Sequence, residues 1–120
     1  MLKNDKEVII PEQLDIKNMK EEDLWKIIDM LWSSPKIKII EFFINNYLFD
    51  FSKKEAMESV RISKQTFYKY FSELEKERII KVSRKKGKTK LYKINFEHPF
   101  VQKLIKFERR VFRQIFKKKG

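Results

Sequence analysis

The 120-residue sequence predicts a mainly α-helical domain with one small β-hairpin. Apolar residues recur at the three- and four-residue spacing of a helix face in several segments, each preceded by a residue that can cap a helix. One stretch, residues 78–96, instead alternates apolar and polar side chains around a glycine, as the two strands of a hairpin do. With 42% hydrophobic and 14% aromatic residues, the chain can bury one core of its own.

Two helices are predicted in the first half of the chain. The first begins after Asn18, which can cap it, and its first turn is acidic, where the helix dipole favours negative charge. Ser34 and Pro35 separate it from the second, because serine caps a helix and proline fits the first helical position. The apolar faces, which we expect to pack together, are Leu24, Ile27, Ile28 and Leu31 in the first helix and Ile37, Ile40, Phe43, Ile44 and Tyr47 in the second.

Two further helices are predicted after a short strand at residues 49–51, FDF. Ser52 and Glu55 have the spacing of a capping box, so a short third helix begins there. Ser63 begins a fourth helix, whose inward face consists of Phe67, Phe71 and Leu74. The residues left on its outward face are Ser63, Lys64, Gln65, Tyr68, Lys69 and Ser72.

The hairpin is predicted from alternation on both sides of a basic tip. Ile80 and Val82 alternate with polar neighbours, and Tyr92, Ile94 and Phe96 do so on the second strand. The connecting segment RKKGKTK is centred on Gly87 and holds no acidic residue.

The last helix is predicted to begin at Pro99, a residue suited to the first helical position. One side of it carries Phe100, Leu104, Phe107, Val111 and Ile115. Together with Phe112 and Phe116 this is more apolar surface than a small domain needs. The stripe therefore packs either against the chain's own first helix or, in part, against a second chain.

The charge of the chain is large and unevenly placed. Twenty-nine Lys and Arg against 17 Asp and Glu give a formal charge of +12. Residues 1–52 hold 7 basic and 10 acidic side chains, whereas residues 61–93 hold 12 basic and 3 acidic, and residues 94–120 hold 8 and 2. Depletion of acids over so long a segment favours a polyanionic partner over a surface charged only for solubility.

Several function classes are disfavoured by composition. The sequence has no cysteine, so disulfides and Cys-based metal sites are excluded. His98, the only histidine, lies before Pro99 at a predicted helix start, where a capping or surface role outweighs catalysis. Two glycines leave no Gly-rich phosphate loop, and no apolar run approaches the ~20 residues that span a bilayer. We therefore expect a soluble, cytoplasmic protein that is not an enzyme and has no cofactor, metal, membrane or small-molecule partner.

The order of these elements, and the residues themselves, resemble the winged helix-turn-helix superfamily. SPKIKIIEFF is similar to its first core helix, ISKQTFYKYFSELEKERIIKV resembles its recognition helix running into the first wing strand, and RKKGKTKLYKIN resembles the wing of archaeal members. The likeness covers residues 33–98. The chain then divides into an N-terminal arm (1–17), interrupted by Pro11, a winged helix-turn-helix domain with a preceding helix (18–98), and a C-terminal amphipathic helix with a basic tail (99–120).

One position departs from the family's pattern. Arg78 stands at the end of the recognition helix, where the family commonly has glycine. Since a non-glycine residue is disfavoured at positive φ, we expect this helix to end in another way or to pass directly into the strand.

The resemblance implies a protein that binds double-stranded DNA, with the fourth helix in the major groove. Gln can pair with adenine and Lys with guanine, each contact discriminating by about 1–3 kcal/mol. By family analogy, the DNA contacts of the recognition helix are Ser63, Lys64, Gln65, Thr66, Tyr68 and Lys69. The wing contacts, to the DNA backbone or minor groove, are Arg84, Lys85, Lys86, Lys88 and Lys90. A homodimer would place two such helices about 34–36 Å apart on a symmetric site, as suits a sequence-specific transcriptional regulator.

Two other functions stay open on the sequence. A DNA-partition or architectural protein would spread along DNA from one site instead of covering a short operator. A winged-helix module that binds protein would have weak DNA affinity that depends little on salt, because it releases few counterions from phosphates.

Overall fold

The computed structural model describes residues 15–119, with side chains as far as Lys117. This part of the chain holds a 3-10 turn (Ile16–Asn18), α1 (Glu21–Trp32), α2 (Pro35–Asn45), α3 (Lys53–Ser59), α4 (Lys64–Lys76), β1 (Ile80–Lys86), β2 (Thr89–Ile94) and α5 (Pro99–Lys119). The predicted class, mainly helical with a small antiparallel hairpin, is confirmed. The predicted arm, apart from residues 15–17, lies outside the described residues. No helix in the described range is both long and apolar enough to cross a membrane.

The predicted starts of α2 and α3 are confirmed by their caps. The Ser34 hydroxyl accepts a hydrogen bond from the Ile37 N–H at 3.3 Å, and Pro35 occupies the first turn. Ser52 and Glu55 form the reciprocal capping box: the Ser52 hydroxyl accepts from the Glu55 N–H at 3.1 Å, and the Glu55 carboxylate accepts from the Ser52 N–H at 2.9 Å. These side chains satisfy backbone donors that a helix start leaves without partners.

The start of α1 differs from the prediction. Lys20, not Asn18, is the residue before the helix. Asn18 lies in the 3-10 turn and donates through its side-chain amide to the Asp15 carboxylate at 2.8 Å. The turn buries Ile16 completely, and this apolar anchor, not a polar cap, fixes the entry to α1.

The core forms where α2 meets α4. Phe43 of α2 and Phe67 and Phe71 of α4 are fully buried, and the Phe43 and Phe71 ring centroids lie 6.3 Å apart. β2 closes this core, because the Tyr92 ring meets Phe71 edge-on at 4.9 Å. With Leu74 also fully buried, the predicted inward face of α4 is confirmed. Burial of each such side chain contributes roughly 1.5–3 kcal/mol, so α4 is fixed by one face and presents the other outward.

A second layer is formed by α1 and α5, whose apolar stripes bury each other within the chain. The described core takes Leu104, Phe107, Val111 and Ile115 from α5. Phe100, predicted in this stripe, is only half-buried, and Val101 is buried in its place. The larger part of the α5 stripe thus has its partner inside the chain.

The hairpin departs from strict alternation. Its strands pair antiparallel, with a register shift between Val82 and Arg84 that leaves Ser83 as an extra residue, a β-bulge. Leu91, which alternation places outward, is buried, whereas Val82 and Phe96, which it places inward, are 40% and 41% exposed. The reason is that β1 is an edge strand and Phe96 lies beyond the end of β2.

The predicted strand at residues 49–51 is reduced to a single bridge. The Phe51 N–H donates to the Tyr92 carbonyl at 3.0 Å, and the Tyr92 N–H donates to the Phe51 carbonyl at 2.7 Å. β2 therefore pairs with β1 and, at this one residue, with the connection between α2 and α3. The bridge ties the hairpin to the start of α3.

The end of α4 is a left-handed turn made by an arginine. Arg78 has a φ of 62°, so the expectation that the helix would avoid this ending is wrong. The Arg78 N–H donates to the Glu75 carbonyl at 3.1 Å and the Ile79 N–H to the Leu74 carbonyl at 3.0 Å, the two bonds of a Schellman motif. The Asn95 side-chain amide donates to the Arg78 carbonyl at 2.8 Å. Burial of Leu74 and Ile79 on either side holds the turn in place.

Candidate nucleic-acid interface

The outward face of α4 begins with two hydroxyls bonded to each other. The Ser63 hydroxyl accepts from the Thr66 N–H at 3.1 Å and donates to the Thr66 hydroxyl at 2.8 Å. Ser63 is thus a helix cap as well as a residue of the predicted site. Among the predicted contacts on this helix, Ser63, Lys64, Gln65 and Lys69 are exposed, and Thr66 and Tyr68 are half-buried. Tyr70, adjacent to them, belongs to the core.

The two acidic residues of α4 lie near its end, and each pairs with a lysine of a neighbouring helix. Glu73 lies 2.9 Å from Lys36 of α2, and Glu75 lies 3.8 Å from Lys53 of α3. These two half-buried carboxylates join α4 to its neighbours. Residues 61–72 contain no acid, so the exposed start of α4 is purely basic and polar.

The wing tip is a tight turn between two basic strands. Lys86 pairs with Thr89, so Gly87 and Lys88 form a two-residue turn, and the φ of 63° at Gly87 is that of the first central residue of a type II′ turn. Lys85 stands directly opposite Lys90, and like charges at opposed positions destabilise a sheet. The hairpin therefore concentrates positive charge at a cost in its own stability.

Arg84 has a different position from the other predicted wing residues. Its guanidinium donates to both oxygens of the Asp50 carboxylate, at 2.8 Å and 3.3 Å, and these bonds lower the pKa of the Asp50 carboxyl below its usual value. Asp50 lies between α2 and α3, so Arg84 fastens the wing to the domain. Lys85, Lys86, Lys88 and Lys90 are exposed, and none of the ion pairs in the described range involves them.

One cleft brings part of both predicted sets together. A space of about 630 Å³ lies between the start of α3, the middle of α4 and the wing. Tyr68 enters it from α4, and Lys88 and Lys90 enter it from the hairpin. The residues that line the remainder are Ser52, Lys53, Lys54, Glu75, Thr89 and Tyr92. Lys64, Gln65 and Lys69 lie along α4 outside this cleft.

Lys53 and Lys54 also line this cleft, and they are absent from the contacts predicted from the sequence. They form the first turn of α3, where the helix dipole disfavours cations. That conflict is a signal present in the sequence: two lysines placed directly after a helix cap. Lys53 is held by Glu75 and by the rings of Phe71 and Tyr92, 5.4 Å and 5.9 Å from its ammonium group. Lys54 is exposed at the rim.

A carboxyl pair between α2 and α5 was also not predicted. Glu41 of α2 and Glu108 of α5 are 67 positions apart in the sequence and meet in the fold; burial, and then the hydrogen bond and charge of Glu41, raise the pKa of Glu108 to about 9. The Trp32 indole N–H donates to Glu108 at 3.4 Å.

In the described range, no group of three or more His, Asp or Glu side chains could hold a metal ion. His98 caps α5, its Nδ1 accepting from the Phe100 N–H at 3.1 Å, as predicted.

Comparison of the chain with protein-family models, with curated proteins and with solved structures finds no match.

Proposed function

We propose that this chain is a double-stranded DNA-binding protein of the winged helix-turn-helix type, acting as a dimeric, sequence-specific transcriptional regulator without catalytic activity or cofactor. The observation that carries the proposal is the basic surface shared by α4, the start of α3 and the wing. Lys54 lies in the first turn of α3, and Lys85 and Lys90 lie opposite each other in the hairpin, two places where positive charge is unfavourable without an anion.

The order of elements supports the same proposal. A helix, a bridging residue, two helices and a hairpin follow one another, and α4 is fixed to the core by Phe67, Phe71 and Leu74. A helix fixed in this way can enter the major groove, which is about 12 Å wide, while its inner face stays attached to the domain. The wing and the α3 lysines then face the flanking phosphates.

The exposed residues divide into two roles. Gln65 and Lys64 at the start of α4 reach base edges, because the amide and the ammonium group match adenine and guanine. Lys88, Lys90 and Lys54 surround the cleft and contact phosphates, which positions the protein without reading sequence. Thr66 lies near the N-terminus of α4, where its hydroxyl, which accepts a hydrogen bond from the Ser63 hydroxyl, is better placed for a phosphate than for a base edge.

The test is a selection from random duplex DNA, followed by binding measurements on the selected site and on unrelated duplexes. Gln65→Ala should weaken binding mainly at the selected site, by roughly 1–3 kcal/mol. Lys86→Ala should weaken binding on every sequence and reduce the salt slope by about one. Lys17→Ala, an exposed lysine in the 3-10 turn, is the matched control and should change neither.

Equal losses on both kinds of duplex for Gln65→Ala would remove the division between reading and anchoring. Footprints that spread with concentration would favour the partition or architectural protein. Weak affinity with little dependence on salt would favour the protein-binding module, because a DNA-binding protein shows a slope of about −0.9 per phosphate contact.

A further inference from the structure

The two faces of the hairpin line different spaces. Arg84 stands opposite Leu91 across the strands, and residues at opposed positions share a face of the sheet. Lys90 and Tyr92, the neighbours of Leu91 along β2, lie on the other face, because successive side chains of a strand alternate. The cleft beside α4 is lined by Lys90 and Tyr92 but not by Arg84. Arg84 therefore lies on the side of the wing away from that cleft.

A second space, of about 590 Å³, lies on the Arg84 side of the hairpin. On the side of the domain it is lined by Asp50, Ser52 and Glu55, from the connection between α2 and α3 and from the start of α3. The Asp50 side chain is only 12% exposed, and its carboxylate accepts the two hydrogen bonds from the Arg84 guanidinium. A two-bond pair of this kind fixes orientation as well as distance, because the planar guanidinium matches the carboxylate.

The β-bulge in β1 gives Asp50 a second donor. Ser83 is the extra residue of the bulge, directly before Arg84. The hydrogen bond from Arg84 is the main reason why the pKa of the Asp50 carboxyl lies below its usual value, and a hydrogen bond from the Ser83 side chain adds to the effect. Because consecutive side chains of a regular strand point to opposite faces, the bulge is what lets both reach one carboxylate.

Asp50 begins a three-residue connection that joins three elements. Its carboxylate holds β1 through Arg84. Phe51, the next residue, pairs with Tyr92 of β2 through two backbone hydrogen bonds, and Ser52 begins α3 by capping it. The position of the wing lysines relative to α3 and α4 is therefore set by this connection.

We propose that Arg84 and Asp50 are positioning residues: their pair fixes the wing at the angle at which its lysines and α4 contact the same duplex, and Arg84 itself does not contact DNA. This role rests on the proposed DNA-binding function, and it removes Arg84 from the contacts implied by the family resemblance. It also gives a use to an acid beside a basic surface, where a carboxylate otherwise repels phosphates. Because Arg84 is 64% exposed, the pair adds little to folding stability, and variants of either residue should stay folded.

The test measures binding to the selected duplex and to unrelated duplexes at several salt concentrations. Asp50→Ala and Arg84→Ala should each weaken binding about tenfold, the loss that follows when a freed wing is correctly placed about one tenth of the time. The salt slope should stay that of the native chain, because the bound state keeps its phosphate contacts. The double variant should lose no more than either single variant, since all three remove the same pair.

The control is Asp29→Ala, an exposed change of the same charge on α1, which should leave the affinity unchanged. An acid that only faces DNA opposes binding, so tighter binding by Asp50→Ala would overturn the positioning role. So would a salt slope that falls by about one in Arg84→Ala, the loss of a phosphate contact expected for Lys86→Ala. Native affinity in Arg84→Lys, which keeps the cation but not the two-bond fork, would have the same meaning.

Hydrogen exchange without DNA measures the hold on the wing separately. The Phe51 and Tyr92 amides, which form the bridge, should exchange several times faster in Asp50→Ala and in Arg84→Ala, and no faster in Lys86→Ala. A native chain that binds no duplex would overturn the proposed function and with it the DNA role of the pair. Tight native binding with unchanged exchange in the variants would overturn the positioning role alone.

Discussion

Arg78 holds a backbone conformation that glycine adopts at no steric cost. Its φ of 62° lies in the left-handed region, where the Cβ of an L-residue crowds its own backbone. We expect Arg78→Gly to raise the free energy of unfolding by about 0.5–1 kcal/mol, after allowance for the greater freedom of glycine in the unfolded chain. Urea denaturation measures this.

The control for that change is Arg78→Ala, which removes the guanidinium but keeps the Cβ. If charge relief in a basic segment were the cause of stabilisation, alanine would stabilise as much as glycine. Backbone strain predicts that only glycine does. A native chain more stable than the Arg78→Gly variant would show that the backbone freedom of glycine in the unfolded chain outweighs the strain, because the Asn95 bond to the residue-78 carbonyl and the burial of Ile79 are present in both proteins.

Glu108 makes the stability of the chain depend on pH, because the pKa of its carboxyl differs between the folded and the unfolded chain. Burial and Glu41 raise the folded pKa to about 9 from an ordinary value of 4.5, so the folded chain binds this proton more tightly than the unfolded chain. Stability from this group is therefore complete below pH 4.5 and is lost as the pH rises towards 9.

Glu108→Gln removes that dependence, because the amide is neutral at every pH. In dilute protein at pH 8.5 we expect the variant to melt about 3–6 °C above the native chain, the shift that roughly 1 kcal/mol gives in a domain near this size. At pH 4 the two should melt together. Thermal scans over this pH range measure the difference, and a melting-temperature difference that stays constant with pH would show that the folded and unfolded chains bind the Glu108 proton equally tightly.

At the scale of elements, the hairpin is the part in which stability and proposed function oppose each other. Lys85 and Lys90 face each other across the two strands. We expect Lys90→Glu to stabilise the hairpin by roughly 0.2–1 kcal/mol, because an opposed pair of like charges becomes an opposed pair of unlike charges. The same change should weaken binding to all duplex DNA and lower the salt slope by about one or more.

Lys90→Gln is the matched control, since it removes the repulsion without adding an attraction. Its stability should lie between those of the native chain and Lys90→Glu, and its DNA affinity should also be intermediate. Hydrogen exchange of the hairpin amides measures the stability of the hairpin, and DNA titrations at several salt concentrations measure the affinity. A variant that gained stability and kept its DNA affinity would place Lys90 outside the interface.

The elements that sequence predicted well are those specified by local chemistry. Ser34, Ser52 and Ser63 begin their helices because each hydroxyl accepts from the backbone N–H three residues on, an interaction that needs no tertiary contact. The apolar spacing of α4 likewise fixed its inward face. These signals act within a few residues, so the sequence displays them directly.

What sequence could not predict depends on contacts between distant segments. The pairing of Arg84 with Asp50 joins positions 34 apart, and the meeting of Glu41 with Glu108 joins positions 67 apart. Likewise, the left-handed turn at Arg78 is supported by Asn95, 17 positions further on. In each case a local rule was overridden by a partner that only the fold supplies.

At the scale of the whole molecule, charge and apolar surface are separated. The start of α4 and the wing carry the basic surface, whereas the cleft between α2 and α5 is lined by the exposed ring of Phe116 and by the Glu41 and Glu108 carboxyls. One chain presents one α4. Because a symmetric operator requires two recognition helices about 34–36 Å apart, the proposed regulator needs a second chain, and we expect the two chains to join through α5.

We expect such a dimer to bind DNA more tightly than a single chain does. On duplexes from the selection, the native protein should bind two correctly spaced half-sites about 10²–10⁴ times more tightly than one, because the second contact becomes intramolecular. Phe116→Glu should abolish this gain while leaving single half-site affinity unchanged, since Phe116 lies on α5 and outside the basic cleft. Mobility-shift titrations on one and two half-sites measure both quantities. Equal loss on both duplexes would instead place α5 against the DNA.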